Sequence, residues 1–448
     1  MNNFKLILIF ASSLLLTPFF ETKAQEIDNI ILQPIDTIGN RYTPIQWNNI
    51  ESFKILSTED GDSLRIINTD SEDMVFDMSK TLIMNGNTIP LITITTDSMM
   101  NQIPDKVNYQ KATIEIKGFG VFEDFSQEVS IRGRGNTSWV ISDKKPYRLK
   151  FDKKQSLCGL KKAKNFVLLA NWTDISLIQN SLASFIGKML NLPYTHTMVP
   201  VDVVLNGVYR GSYILTNKPG INAGSVDIDE DTSVMWELDT YFDEDMKFKS
   251  PLLDLPVNLA DPDLTEERFE YWKNDFITME ENVVNGNVED YIDIDSYAKY
   301  KAVNEIMKNN ELWHPKSLKM YKEEGGKYQF GPLWDFDVAM GYNYDKRESY
   351  NILRAASGIA NNNLMKAIEK DNKVNEKIFE YINFVLKNED ELWKFIDSYC
   401  SDIKSSALRN NIKWKSFGDW EENIAKMKIW FEVYLGFLKT KYKLNPSK

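Results

Sequence analysis

The apolar period changes along this chain, and that change constrains its fold more than any other feature. Between Leu91 and Leu238 the dominant period is two. Leu91–Thr96, Ala112–Ile116, Val129–Ile131 and Tyr147–Phe151 alternate apolar and polar residues, and Phe166–Ala170 is a continuous apolar run. Successive side chains of an extended chain point to opposite faces, so these runs predict strands. Val199–Leu205 and Tyr209–Thr216 flank Asn206-Gly207, a pair suited to a two-residue hairpin in which both central residues take positive φ. Val234–Leu238 is a further predicted strand. One helix interrupts this part, opening at Asp174 and running to about Leu190, with Leu177, Ile178, Leu182, Phe185 and Ile186 on one face. From residue 264 helical spacing takes over. Residues 264–311 predict two helices broken near Asn285-Gly286-Asn287, and the chain is helical again from about Asn362. Between them, Leu318–Tyr321 and Tyr328–Phe330 flank Gly325-Gly326 as a second hairpin. The expected fold class is α+β, a mixed sheet core with a helical C-terminal part.

The ends and the composition narrow the classes. Residues 1–24 read as an export signal: Lys5 is the basic start, Leu6–Phe20 the apolar centre, and Thr22-Lys23-Ala24 the small-residue cleavage site. The expected location is therefore outside the cytoplasm, in the periplasm, on the cell surface or secreted, with no integral membrane segment after cleavage. Residues 25–85 are an accessory region, β-rich or partly ordered, and 86–448 one larger unit. The formal charge of −12 disfavours a nucleic-acid partner held through phosphates. Two cysteines exclude a disulfide framework and leave the pairing of Cys158 with Cys400 open. With only His196 and His314, a His-rich zinc site is excluded. Chemistry in such a chain runs on carboxylates, arginines and lysines.

Three stretches concentrate those groups. In Gln329–Gly341, Asp335 and Asp337 stand two apart among Trp334, Phe336 and Val338. If the chain is extended there, both acids share a face, and a cation between them removes their repulsion; hard oxygen donors suit Mg²⁺ or Mn²⁺. The plainer reading is a strand end whose acids cap a turn before Gly341. Ile131-Arg132-Gly133-Arg134-Gly135-Asn136 interleaves glycines, which let backbone amides approach a ligand, with arginines that fork onto phosphate. Lys144, Lys145, Arg148 and Lys150 follow, an anion site or an exposed basic strand. Glu237 and Asp239 form a second acid pair, and Glu311 closes a helix as a candidate base, metal ligand or solvated acid.

In order along the chain, these blocks resemble the CotH kinase family of atypical secreted and spore-coat protein kinases. Arg132-Gly133-Arg134-Gly135-Asn136-Thr137-Ser138-Trp139 and Lys144-Lys145-Pro146-Tyr147 are similar to its basic segments. Leu169–Asp174 with Asn180, Asn206–Tyr213, Glu237-Leu238-Asp239, His314–Ser317 and Gly331–Asp337 follow in the family's order. The resemblance implies a kinase-like core that binds ATP with Mg²⁺ or Mn²⁺ and phosphorylates Ser or Thr of a protein substrate. It implies Asp335 as metal-binding and catalytic acid, with Asp337 as its partner, and Glu311 at the catalytic position. Arg132, Arg134, Lys145, Arg148, Lys150 and Asp174 are the expected nucleotide-binding residues.

Three positions depart from the family pattern. Glu311 stands where characterised members carry Asp, Gln179 where Arg is common, and Asn217 where Glu is common. These departures keep a second reading open, a non-catalytic cell-envelope protein that binds a glycan or protein ligand. A hydrolase pairing Glu237 or Asp239 with Asp335 is a third.

Overall fold

In a computed structural model of the chain, residues 89–343 other than 101 and residues 348–443 are described, with the backbone of six strands between 29 and 85. The expected signal segment lies outside the described residues. The six strands are β1 (Asn29–Pro34), β2 (Thr43–Gln46), β3 (Ile50–Thr58), β4 (Gly61–Asn68), β5 (Met74–Asp77) and β6 (Thr81–Asn85). They pair antiparallel in two three-stranded sheets, β2-β1-β6 and β3-β4-β5.

Seven strands follow: β7 (Leu91–Thr96), β8 (Gln110–Lys117), β9 (Phe125–Gly133), β10 (Tyr147–Gln155), β11 (Ala163–Leu169), β12 (Val199–Leu205) and β13 (Val208–Asn217). Their order is β10-β11-β13-β12-β7-β8-β9. The sheet is mixed, because β12 runs parallel to β7 while β7–β8, β8–β9 and β11–β13 are antiparallel. A second sheet, in the order β15-β16-β14-β17-β18, is built from β14 (Ser233–Leu238), β15 (Lys247–Lys249), β16 (Pro256–Asp261), β17 (Leu318–Glu323) and β18 (Gln329–Phe330). With the helices, this is the expected α+β class.

The chain separates into two compact units. The first comprises Met1–Tyr147, Pro200–Tyr213 and Ser401–Phe417. Strand β8 obeys the alternation read from the sequence: Ala112, Ile114 and Ile116 are buried, while Lys111, Thr113, Glu115 and Lys117 face water. The hairpin turn forms as expected, with Asn206 at φ 49 and Gly207 at φ 76. Asp202 and Arg409 form an ion pair within this unit, both wholly buried. Asp202 also accepts from the hydroxyls of Tyr209 (2.6 Å) and Ser406 (2.7 Å).

The second unit comprises Arg148–Val199, Ile214–Cys400 and Gly418–Lys448. Its core centres on Trp236 of β14, which meets Phe248, Phe269 and Phe276 edge-on with ring centroids 5.5, 5.9 and 6.3 Å away. Phe269 and Phe276 come from the helix Glu266–Val284, which opens on Thr265, whose hydroxyl caps the Arg268 amide. The helix Ile294–Ile306 opens in the same way on Asp293. The helix expected from Asp174 begins later, at Gln179. The Asp174 carboxylate takes the amide hydrogens of Ser176 and Gln179, so residues 174–178 form turns that deliver the chain into the helix.

Candidate active site

The stretch carrying Asp335 and Asp337 starts as the end of a hairpin. β17 and β18 pair through Met320↔Phe330 and Tyr321↔Gln329. Beyond Phe330 the ladder stops, residues 331–336 adopt no regular structure, and Asp335 sits at φ 63. The extended geometry that puts i and i+2 on one face is therefore absent. A left-handed residue at 335 turns the chain, and the two acids take different partners. Asp335 Oδ2 accepts from the Ser317 hydroxyl at 3.3 Å, and Asp337 Oδ2 from the Thr173 hydroxyl at 2.6 Å.

The segment between them is fixed from one side. The Phe336 amide donates to Asn180 Oδ1 at 3.0 Å, and Asn180 Nδ2 donates to Asn171 Oδ1 at 3.3 Å. Leu333 packs where Gly187 leaves room on the helix; a Cβ there would meet Leu333 Cδ1 at 2.6 Å.

Ser317 joins two acids. It too is left-handed, at φ 53. Its hydroxyl donates to Asp335, and its backbone amide donates to Asp239 Oδ2 at 3.1 Å. A non-glycine residue in this region is disfavoured by roughly 1–3 kcal/mol and persists where surrounding contacts dictate it, a pattern concentrated at functional sites. Asp239 takes a second amide, that of Tyr241, at 2.8 Å. Burial pushes the Asp239 carboxyl up to about 6, with repulsion from Glu237 adding and the two amides opposing. Glu237 is opposite Lys319 in the β14–β17 register and forms an ion pair with it.

A cationic group lies at the end of β13. Burial lowers the Lys218 pKa, with Arg148 lowering it further and Asp261 and Glu237 opposing. Among the described residues the Lys218 ammonium has neither a hydrogen bond nor an ion pair. Arg148 donates to Asn165 Oδ1 at 3.0 Å, and Asp261 accepts from the Ile221 amide at 2.6 Å. Glu311 is buried in a short turn, its amide bonded to Asn309 Oδ1 at 3.1 Å and its carbonyl accepting from the Lys316 amide at 3.3 Å.

Other expected residues have other settings. Asp174 is wholly buried, and beyond the Ser176 and Gln179 amides it takes the hydroxyls of Ser176 (2.5 Å) and Tyr350 (3.3 Å). The Ser176 and Gln179 donors shape the entry to one helix. Lys150 is exposed on β10. Arg132, Arg134 and Lys145 belong to the first unit. There Arg132 donates to the Val107 carbonyl and covers the Tyr109 ring, and Lys145 donates to the Trp139 carbonyl. Gln179 donates to the Tyr350 hydroxyl at 3.2 Å and Asn217 to the Lys161 carbonyl at 3.0 Å, so both departures from the family pattern carry structural bonds.

Sequence reasoning passed over Ser317, Lys319 and Lys218 as site residues. Lys319 becomes visible only once the strand register sets it opposite Glu237. Lys218 carried one local signal, a lysine next to the aberrant Asn217.

The second unit thus defines a class: an α+β protein whose second sheet ends in loops that gather acids around one serine, with lysines and an arginine alongside. The chain belongs to the CotH kinase protein family, whose pattern matches residues 130–435, more than half of its length. No curated protein matches the chain. No helix among the described residues is long and apolar enough to cross a membrane.

Proposed function

We propose that this chain is an exported CotH-type protein kinase that transfers the terminal phosphate of ATP to Ser or Thr of a protein substrate. The observation that carries this reading is Asp335, the acid of the family's Trp-Asp block, held in a left-handed conformation and tied through Ser317 to Asp239.

Asp335 is the proposed metal ligand, with Asp337 contributing a second oxygen. Among the described residues no group of three or more His, Cys, Asp or Glu could hold a metal. Mg²⁺ ordinarily takes one or two carboxylates and completes its shell with phosphate oxygens and water, so Asp335 alone meets the minimum, while Asp337 turns to the Thr173 hydroxyl. The bound ion supplies charge neutralisation on the transferred phosphoryl group. Glu311 is the proposed base for the substrate hydroxyl. Lys218, whose ammonium is uncommitted, and Arg148 are the proposed phosphate cations of the second unit. Arg132, Arg134, Lys145 and Lys150 keep a proposed part in anion binding, and Asp174 acts by shaping the Gln179–Met189 helix. Outside the cytoplasm the donor has to be supplied locally.

The test incubates purified protein with labelled ATP and Mg²⁺ or Mn²⁺ and candidate proteins. Transfer by the parent, lost in Asp335→Asn and Glu311→Gln, supports the reading; equal labelling in all three refutes it. The bonds made by Gln179 and Asn217 favour a second reading, a CotH-fold envelope protein without transfer activity. Stabilisation by a glycan or protein ligand, and none by nucleotide with metal, would favour that reading.

A further inference from the structure

A cavity of about 320 Å³ lies within the second unit, between the helices Ile294–Ile306 and Asn372–Lys387 and the end of the helix Trp420–Lys441. The proposed phosphoryl chemistry uses none of its residues.

One wall is built from charge. Lys301 and Glu305, one turn apart on the Ile294–Ile306 helix, face the cavity at 4% and 1% exposure. Charges so far out of water are unfavourable unless paired and hydrogen-bonded. Glu305 Oε1 accepts from Lys441 Nζ at 2.6 Å. Glu369 accepts from the Tyr297 hydroxyl and from Asn361 Nδ2. Lys301 is less well served. Its ammonium donates to Asn361 Oδ1, while Glu305 and Glu369 stand 3.7 and 3.6 Å away, beyond hydrogen-bond reach. An ammonium has three hydrogens, so among the described residues two of them lack an acceptor. Glu305 Oε2 likewise has that ammonium at 3.7 Å and no closer donor.

The other wall is apolar. Ile359, Ile378 and Phe379 line it with Tyr442, and the Phe379 and Tyr442 rings lie 6.1 Å apart at 56°. Phe379 is 45% exposed, so its ring is open to a ligand.

The chemistry of the occupant follows from these walls. Two ammonium groups against two carboxylates cancel, so net charge selects neither anion nor cation. Spare donors beside spare acceptors suit a group that both gives and takes a hydrogen bond, which is a hydroxyl. A hydroxyl-bearing edge opposite an aromatic wall matches a pyranose ring, with its polar rim and C–H face. The volume sits at the lower end of the ~300–1,000 Å³ typical of ligand pockets. We propose that this cavity binds one neutral monosaccharide unit, hexose or N-acetylhexosamine, either free or as the end of a glycan chain.

The test is calorimetric titration of the full chain with D-glucose, D-galactose and N-acetyl-D-glucosamine, and with the trisaccharides maltotriose and chitotriose for the chain-end case. Inorganic phosphate and L-glutamate are the charged controls. At least one neutral sugar is expected to bind with a Kd of about 1 mM or tighter. Phe379→Ala, a change at a half-exposed ring, and Asn361→Ala are each expected to weaken that binding about tenfold, with the near-ultraviolet circular dichroism of the fold retained. Preference for a trisaccharide assigns the site to a glycan end, and equal affinity for the monosaccharide assigns it to free sugar. No heat from any sugar at about 10 mM overturns the proposal. So does binding that both variants leave unchanged, or binding of phosphate or glutamate alone.

Discussion

Asp202 in the first unit is wholly buried and Asp239 in the second is half-buried, and the protein treats the two acids differently. Asp202 is given a full set of partners: the Arg409 guanidinium and the hydroxyls of Tyr209 and Ser406. Asp239 takes two backbone amides and, among the described residues, no ion pair, the Lys319 charge acting on it only from a distance. The lysine near it, Lys319, is paired with Glu237 instead. One acid is neutralised where it stands and serves the fold. The other is held in place with its carboxyl raised to about 6, beside Ser317 and Asp335. A half-buried carboxylate with a raised pKa, set among residues in left-handed conformations, is the usual mark of a functional group.

The comparison can be broken by mutation, most forcefully at its structural member. Asp202→Asn takes the balancing carboxylate away from the buried Arg409 charge, and removing one member of such a pair is expected to lower stability by about 3–5 kcal/mol. Urea midpoints of parent and variant measure it, and a difference under about 1 kcal/mol would erase the distinction between the two acids.

A smaller expected loss comes from pH. Burial holds His196 down to about 3, and its Nε2 meets the Ser225 hydroxyl at 2.7 Å. A histidine kept neutral in the fold contributes stability that is present above its unfolded value of 6.5 and lost as pH falls toward about 3. Its share of the decline is about 1.4 kcal/mol for each pH unit well below 6.5. His196→Gln is expected to flatten that slope in denaturant titrations run between pH 6.5 and 4.5.

Asp239 is expected to behave in the opposite sense from Asp202. Its folded pKa, about 6, lies above the ordinary 3.8, so its contribution to stability is present below pH 3.8 and lost as pH rises through 6. Asp239→Asn cannot ionise, and its single carbonyl oxygen keeps only one of the two amide bonds, so its stability is expected to fall by about 1–2 kcal/mol less than the parent's as pH rises through that window, after solvent screening. Parallel pH profiles would remove the claim that this acid is held at a penalty.

The smallest effect is expected at the support of Asp337. Thr173→Val removes the hydroxyl bonded to it, and about 1 kcal/mol of stability should go with it in the same assay.

Much of the fold was legible in the sequence. Strand β7 lies where the apolar alternation placed it, β12 lies where the Asn206-Gly207 flank was read, and that pair turns the chain as its composition requires. These signals are local. The helix expected from Asp174 starts five residues later because its carboxylate bonds forward into the turn, a choice that propensity does not reveal. The short strands Lys247–Lys249 and Pro256–Asp261 went unread, since too few residues carry a period there.

The site was legible in part. Asp335 and its neighbours stood out as acids in an apolar run, yet their relation did not. An extended chain was the natural expectation, and the left-handed turn at Asp335 arises from tertiary contacts at Ser317, Asn180 and Leu333. Ser317 and Lys319 acquire meaning only from strand pairing, which composition does not encode. The cavity around Lys301 was invisible for the same reason: its two lysines lie far apart in the chain, on different helices.

The central claim is that Asp335 anchors metal-dependent phosphoryl transfer, and one measurement addresses it most directly. The parent chain and Asp335→Asn are incubated with labelled ATP and Mn²⁺ or Mg²⁺, and label transferred to Ser or Thr of protein is counted after the free nucleotide is removed. Metal-dependent label is expected from the parent, with a loss of at least about a hundredfold in the variant, as for removal of a group acting on transition-state charge. Label that is absent from the parent, or that persists undiminished in Asp335→Asn, would contradict it.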